Sequence, residues 1–350
     1  MNDNYKKRLS DAITWLRFPL IFFIILLHCY SVQRLEGSHD TYFKILYPFS
    51  LWLGETGVPA FFFISGLLFF LSNKNYFQKQ KTRIFTLLVP YILWNSLLVF
   101  TYIILLYIGH PMEIIGRSIA DYNVIDYIRL YWDRGFYDDG NFVPILCPLW
   151  YIRNLIIMSI LSPIFYYLIK YLREPFLLFV AIWWLMTPRN AFIPQTVLFF
   201  CLGAYFSIFD VNPLKVFIEK KILFITLFII FGLFDIISHV VVSTPINLQI
   251  HRLSLICNIP ILFIIADFCM RHGFHHDFLP KSAFIVFCVH YPIVVLLRKI
   301  CISTFYNAND GIHILLYWIC VIISTLLSLG IYYILDKYFP KLKNLLSGNR

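Results

Sequence analysis

Ile13-Thr14-Trp15-Leu16-Arg17-Phe18-Pro19-Leu20-Ile21-Phe22-Phe23-Ile24-Ile25-Leu26-Leu27-His28-Cys29 is a long apolar run broken by one guanidinium near its start and one imidazole near its end. A helix that crosses the hydrocarbon of a bilayer needs about 20 mostly apolar residues, and this run, extended to Val32, has that length. Similar runs follow at about 49–71, 84–108, 145–169, 175–187, 191–209, 222–242, 248–269, 283–302 and 312–335. The fifth and sixth are separated only by Pro188, Arg189 and Asn190 and should form a tight hairpin. The reading is an all-α integral membrane protein with about ten transmembrane helices.

Composition agrees. Of the 350 residues, 60% are hydrophobic and only 14% charged, whereas a soluble domain carries about 25% charged residues. The surplus apolar surface must face lipid, and no stretch remains for a separate soluble domain, so residues 1–350 are expected to form a single membrane domain. The eight cysteines lie within or beside apolar runs without CxxC or metal-ligand spacing; they read as small hydrophobes, and no metal is expected.

The net charge of +10 could suggest nucleic acid, but its distribution points instead to membrane orientation. With the amino terminus in the cytoplasm, cytoplasmic flanks collect Lys6, Lys7, Arg8, Lys74, Lys79, Lys81, Arg83, Lys170, Arg173, Lys215, Lys220, Lys221, Arg271, Lys281, Lys337, Lys341, Lys343 and Arg350. Opposite flanks hold fewer, among them Arg34, Lys44, Arg117, Arg129, Arg134 and Arg189. The positive-inside rule then places both termini in the cytoplasm. No small-residue cleavage site follows the first run, so it reads as a retained helix. The one long loop, residues 110–144, is expected outside. There Glu113, Asp121, Asp126, Asp133, Asp138 and Asp139 alternate with Tyr122, Tyr127, Tyr131, Trp132 and Tyr137. This pattern suits sugar rings and hydroxyls, or equally an interfacial aromatic belt.

Ionisable residues inside spans are costly, and their default reading is functional. Arg17 and His28 are eleven positions apart, which leaves them about 20° apart around the helix with a rise of about 16 Å. They share a face and could hold opposite ends of one long ligand. Taken singly, Arg17 could be a snorkelling anchor and His28 a satisfied core histidine. Glu55 starts the second run at about the depth of His28 and could orient its imidazole, or sit wetted at the interface. Ser65-Gly66 permits close approach by a helix or a ligand. Lys74, Lys79, Lys81 and Arg83 could attract anionic lipid or a polyphosphate. Arg153 needs a carboxylate, a phosphate or a water-filled cavity. His290 is internal to the ninth run. Asp235 and His239, one turn apart, could satisfy each other, and His251, Arg252 and His313 are expected at the interface.

In order along the chain come Arg17 and His28, the Phe62-to-Gly66 run Phe-Phe-x-x-Ser-Gly, Arg83 to Pro90-Tyr91, Leu149-Trp150-Tyr151-Ile152-Arg153, and His290-x-Pro292. In these features the sequence resembles acyltransferase family 3, multipass membrane enzymes that O-acylate bacterial surface polysaccharides and related glycans. The resemblance implies transfer of an acyl group, by family default acetyl, from cytoplasmic acyl-CoA to a hydroxyl of a surface or lipid-linked glycan at the bacterial cytoplasmic (inner) membrane. It implies catalytic roles for His28, Glu55 and His290. Donor contacts would come from Arg17, Lys81, Arg83, Arg153 and Ser65, the donor's phosphates staying with the cytoplasmic cations while its slim arm enters the bundle. Membrane lipid and the glycan are the expected partners, and nucleic acid is not. A transporter or flippase for a lipid-linked sugar would use the same buried cations and remains the alternative.

Overall fold

The computed structural model describes residues 3–30, 40–114, 117–134, 142–189, 191–240, 246–274 and 276–349. Arg34, Tyr137, Asp138, Asp139, Asn190 and Arg350 lie outside them. Among the described residues, fifteen α-helices run in chain order: α1 Asp3–Cys29, α2 Asp40–Tyr47, α3 Gly54–Leu71, α4 Tyr76–Arg83, α5 Val89–Tyr107, α6 Val124–Arg129, α7 Trp150–Ile160, α8 Ser162–Met186, α9 Phe192–Ile208, α10 Pro213–Glu219, α11 Lys221–Val240, α12 Asn247–Arg271, α13 Phe278–Phe305, α14 Asp310–Tyr338 and α15 Pro340–Ser347. A two-residue hairpin, β1 Glu113–Ile114 with β2 Arg117–Ser118, sits in the long loop.

Among the described residues, seven helices are long and apolar enough to cross a membrane, or nine when the bent pairs α7–α8 and α9–α10 each count as one span. The ten expected spans differ from this at 145–187. There α7 turns by 67° into α8, and α8 itself is broken only at Arg173, whose φ is 50°. The break at Arg173 falls between the expected fourth and fifth runs, and counting two spans there gives ten.

Four helix starts, those of α4, α6, α10 and α14, follow an asparagine whose side chain bonds the first free amides. Asn75 and Gln78 form a reciprocal cap on α4, Asn212 caps α10 and Asn309 caps α14. In the bundle, α1 is a central element, with Leu16, Leu20 and Ile25 fully buried. It packs against α3, α12 and α13. The α3–α9 crossing is the tightest. A Cβ on Gly66 would lie 2.0 Å from the Phe200 carbonyl oxygen, and one on Gly203 would lie 1.9 Å from that of Phe63. The Ser-Gly step thus serves backbone contact between helices. In contrast, α11 and α14 turn Leu223, Ile230, Leu233, Phe234, Ile322 and Leu326 outward, as lipid-facing helices do.

Candidate active site

Five cations converge on a cavity of about 470 Å³ between α1, α3, α4, α7 and the start of α13. Arg17, Lys74, Lys79, Arg83 and Lys281 line it, and among the described residues no carboxylate does. On α4 and the wide turn after it, Lys79, Thr82, Arg83 and Thr86 line the cavity, and their spacing of three and four puts them on one helix face. Lys81 is two residues from Lys79, hence about 200° around the helix. It is exposed and absent from the lining, so its expected donor contact is not made here. The Nζ of Lys79 and the guanidinium of Arg83 lie 5.0 and 5.5 Å from the Phe69 ring centroid. This fixes the basic end of the cavity at the depth of Phe69.

The opposite end is neutral. Ile21, Phe61, Tyr151 and Phe287 are the last lining residues of their helices, and Ser65 Oγ and the Tyr151 hydroxyl are 3.0 Å apart there. Beyond this end lies the expected histidine pair. The His28 and His290 ring centroids are 5.4 Å apart, and the His28 and Tyr291 centroids 5.0 Å apart in an edge-to-face arrangement. Arg17 and His28 therefore do share a face of α1, directed toward α13. They do not open into one passage, because the cavity stops at Phe287, whose ring is 6.0 Å from Tyr151 and 6.1 Å from His290.

His290 has a defined tautomer. Its Nδ1 lies 3.1 Å from the Val286 carbonyl oxygen, which can only accept, so Nδ1 carries the proton and Nε2 the lone pair. That Nε2 is buried with no hydrogen-bond partner among the described residues. The long loop reaches the same place, since Arg134 and Cys147 contact the Tyr291 hydroxyl.

Glu55 is placed elsewhere. Arg189 donates to its Oε1 at 2.5 Å and His251 Nε2 to its Oε2 at 3.0 Å. Both carboxylate oxygens are engaged and neither by His28, so Glu55 does not orient that imidazole. Arg189, between spans, is held above its ordinary range by this carboxylate. The network continues inward. His251 Nδ1 donates to Asp235 at 2.8 Å, and Asp235 also accepts from Tyr47, Ser254 and His239. The expected Asp235–His239 pair is one contact of a larger buried cluster. His251, Arg252 and His313 are buried rather than interfacial. Arg252 donates to the carbonyls of Trp184, Thr187 and Pro188, which holds the turn before α9.

Arg153 is likewise a clamp. Its guanidinium donates to the carbonyl oxygens of Trp132 at 2.6 Å and Phe142 at 3.0 Å and lies 4.0 Å from the Phe142 ring centroid. It is absent from the cavity lining and fastens the long loop to α7, so a direct donor contact is not its place. Replacing Arg153 with Met should cost about 3 kcal/mol, since hydrogen bonds to a charged group contribute about 1.5–3 kcal/mol each. Thermal unfolding in detergent and proteolysis between 130 and 149 read the loss, and CoA affinity should change little. Several loop carboxylates serve local structure: Asp126 accepts from the amide of Asn123, the cap of α6, and from Arg117 at 3.0 Å, and Asp133 approaches Arg129. Lys281 was counted in the sequence only as a topological cation; its place at the mouth of the cavity follows from Pro280, Ala283, Phe284 and Phe287 lining the same side of α13.

A family model described as an acyltransferase domain matches residues 10–334. The chain belongs to acyltransferase family 3. It is similar to the succinoglycan biosynthesis protein ExoH of Rhizobium meliloti (strain 1021), 27% identical over 315 residues, which cover 86% of this chain and 82% of the relative. No solved structure matches. As an acyltransferase-3 protein, the chain is a multi-pass membrane enzyme that transfers acyl groups, and the resemblance read from its motifs is borne out.

Proposed function

We propose that the enzyme moves an acyl group, acetyl by family default, from acyl-CoA to a hydroxyl of a surface or lipid-linked glycan across a bacterial inner membrane. The observation that carries this reading is the cavity with five cations at one end and a neutral end beside two histidines. CoA has that polarity: a 3′-phosphate and a diphosphate at one end, a slim uncharged arm ending in sulfur at the other. The excess of cations around it supports a cytoplasmic basic end, the side on which acyl-CoA is made. The relative's role in succinoglycan biosynthesis supports a glycan acceptor.

Arg17, Lys74, Lys79, Arg83 and Lys281 would hold the phosphates, and Ser65 would line the arm. With the acyl end against Phe287 and directed toward the histidines, His28 takes the proton from the acceptor hydroxyl as its oxygen attacks the thioester carbonyl. The tetrahedral intermediate then collapses, the C–S bond breaks, and the imidazolium returns the proton to the departing sulfur. His290 lies close enough to share this proton traffic through Nε2.

Isothermal titration of CoA into the purified protein tests the donor site. Replacing Arg83 or Arg17 with Ala should weaken binding about tenfold or more, as expected for loss of a charge-assisted contact to phosphate. Lys81→Ala should leave it within twofold, because that side chain faces away. Equal effects from all three would contradict the placement. A transporter for a lipid-linked sugar predicts no CoA binding and no release of CoA thiol.

A further inference from the structure

The wall of the cavity that carries Arg83 is held from behind. Between α4 and α5 the chain makes a π-helical turn, Ile84–Leu88, a wide winding that is rare and recurs at functional sites. It follows Arg83 directly, and Thr86 within it lines the cavity. Gly348, just past α15, is buried against this turn without lining the cavity itself. A Cβ there would lie 2.7 Å from Thr86 Cα and 2.8 Å from the Thr86 carbonyl oxygen, and the φ of Gly348 is 68°. The close backbone approach and the left-handed conformation both call for glycine. Beside it, the indole of Trp94 on α5 donates to the Leu346 carbonyl oxygen at 3.0 Å.

The same few residues reach the opposite wall. Leu346 is buried in a cluster with Ile285 and Val289 of α13 and Tyr332 of α14, against which Trp94 packs. On α13, Lys281, Ala283, Phe284 and Phe287 line the cavity. Ile285 is two residues from both Ala283 and Phe287, hence about 200° around the helix from each, so Leu346 meets α13 on the face turned away from the cavity. Lys343 bonds Asp336 at 3.2 Å and ties α15 to the end of α14. Thus α15 is wedged between the segment that presents Arg83 and Thr86 and the helix that presents Lys281. Its packed side is Leu346, Ser347 and Gly348, all buried, while Lys341 and Asn344 are exposed.

We propose that Leu346 and Gly348 are positioning residues for donor binding: by seating α15 between the π turn and α13 they set the distance from Arg83 and Thr86 on one wall to Lys281 on the other, and with it the grip on the donor's phosphates. This rests on the donor reading given above and gives a part in it to residues outside the cavity.

Calorimetric titration of CoA into the full-length protein in lipid nanodiscs tests it. Gly348→Ala should displace the segment and weaken CoA binding about tenfold, the scale of one charge-assisted contact. Trp94→Phe removes the indole N–H and keeps a ring in place, and should weaken binding about fivefold, the scale of one neutral hydrogen bond. If Gly348→Ala does not fold, Trp94→Phe decides the matter alone. Placed in the Arg83→Ala protein, the same replacements should change affinity by less than about twofold, because the contact they position is already gone. A segment that only added stability would lower the melting temperature and leave affinity unchanged. Lys341→Ala, on the exposed side of α15, should bind CoA as the wild type does. Wild-type affinity in Trp94→Phe and in any folded Gly348→Ala, equal losses with and without Arg83, or an equal loss in Lys341→Ala would overturn the proposal. Absence of CoA binding by the wild type would instead overturn the donor reading on which it rests.

Discussion

Replacement of His28 with Ala should abolish acyl transfer, by about 10²–10⁴-fold, the contribution of a positioned general base, while protein abundance and CoA affinity stay near wild type. The expectation of intact folding comes from the packing of α1. Ile24, Ile25 and Cys29 around this position are buried in the core, whereas the His28 ring is half-buried and meets His290 and Tyr291. The expectation of intact donor binding comes from the cavity, which ends before His28 is reached. Mass spectrometry of surface glycans from cells carrying wild type or variant reads the outcome as loss of one acyl mass. Retained acylation in the variant would transfer the role of base to His290, whose Nε2 lone pair has no hydrogen-bond partner among the described residues.

Replacement of Gly203 with Val should unfold the bundle around α3 and α9. The Gly203 Cβ position already coincides with the Phe63 carbonyl oxygen at 1.9 Å, and the obstruction is backbone, which cannot rotate aside as a side chain can. The expected cost is about 3 kcal/mol, the upper part of the usual range for overpacking. Phe61, Ser65, Leu68 and Phe69 of the cavity all ride on α3. Displacing α3 should therefore also weaken CoA binding, although Gly203 is not part of the cavity lining. A thermal melt in detergent with CoA titration checks both effects, and a melting temperature equal to wild type would show that the helices cross more loosely than described.

Some of the fold and site was legible in the sequence because it depends on local periodicity. Arg17 and His28 share a face because eleven residues nearly complete three turns, and Ser65-Gly66 marked a close backbone approach. Lys81 was equally legible: helical spacing alone separates it from Lys79 and Arg83, and a cluster of cations concealed that. Other features depend on contacts distant in the chain. Glu55 matched His28 in depth, but its partners Arg189 and His251 are 134 and 196 residues away. Arg153 carried the right signal, a buried charge needing compensation, yet carbonyl oxygens and an aromatic face from the long loop supply it instead of a ligand. The end of the cavity at Phe287 is also a matter of packing between α7 and α13, which no single helix encodes.

Electron cryomicroscopy of the protein with a non-hydrolysable acetyl-CoA analogue tests most directly whether the donor enters at the basic end. Density for the phosphates among Lys74, Lys79, Arg83 and Lys281, with the acyl end against Phe287 and pointing toward His28, is the expected result. An analogue bound at the opposite face of the bundle, or with its phosphates away from these cations, would contradict it.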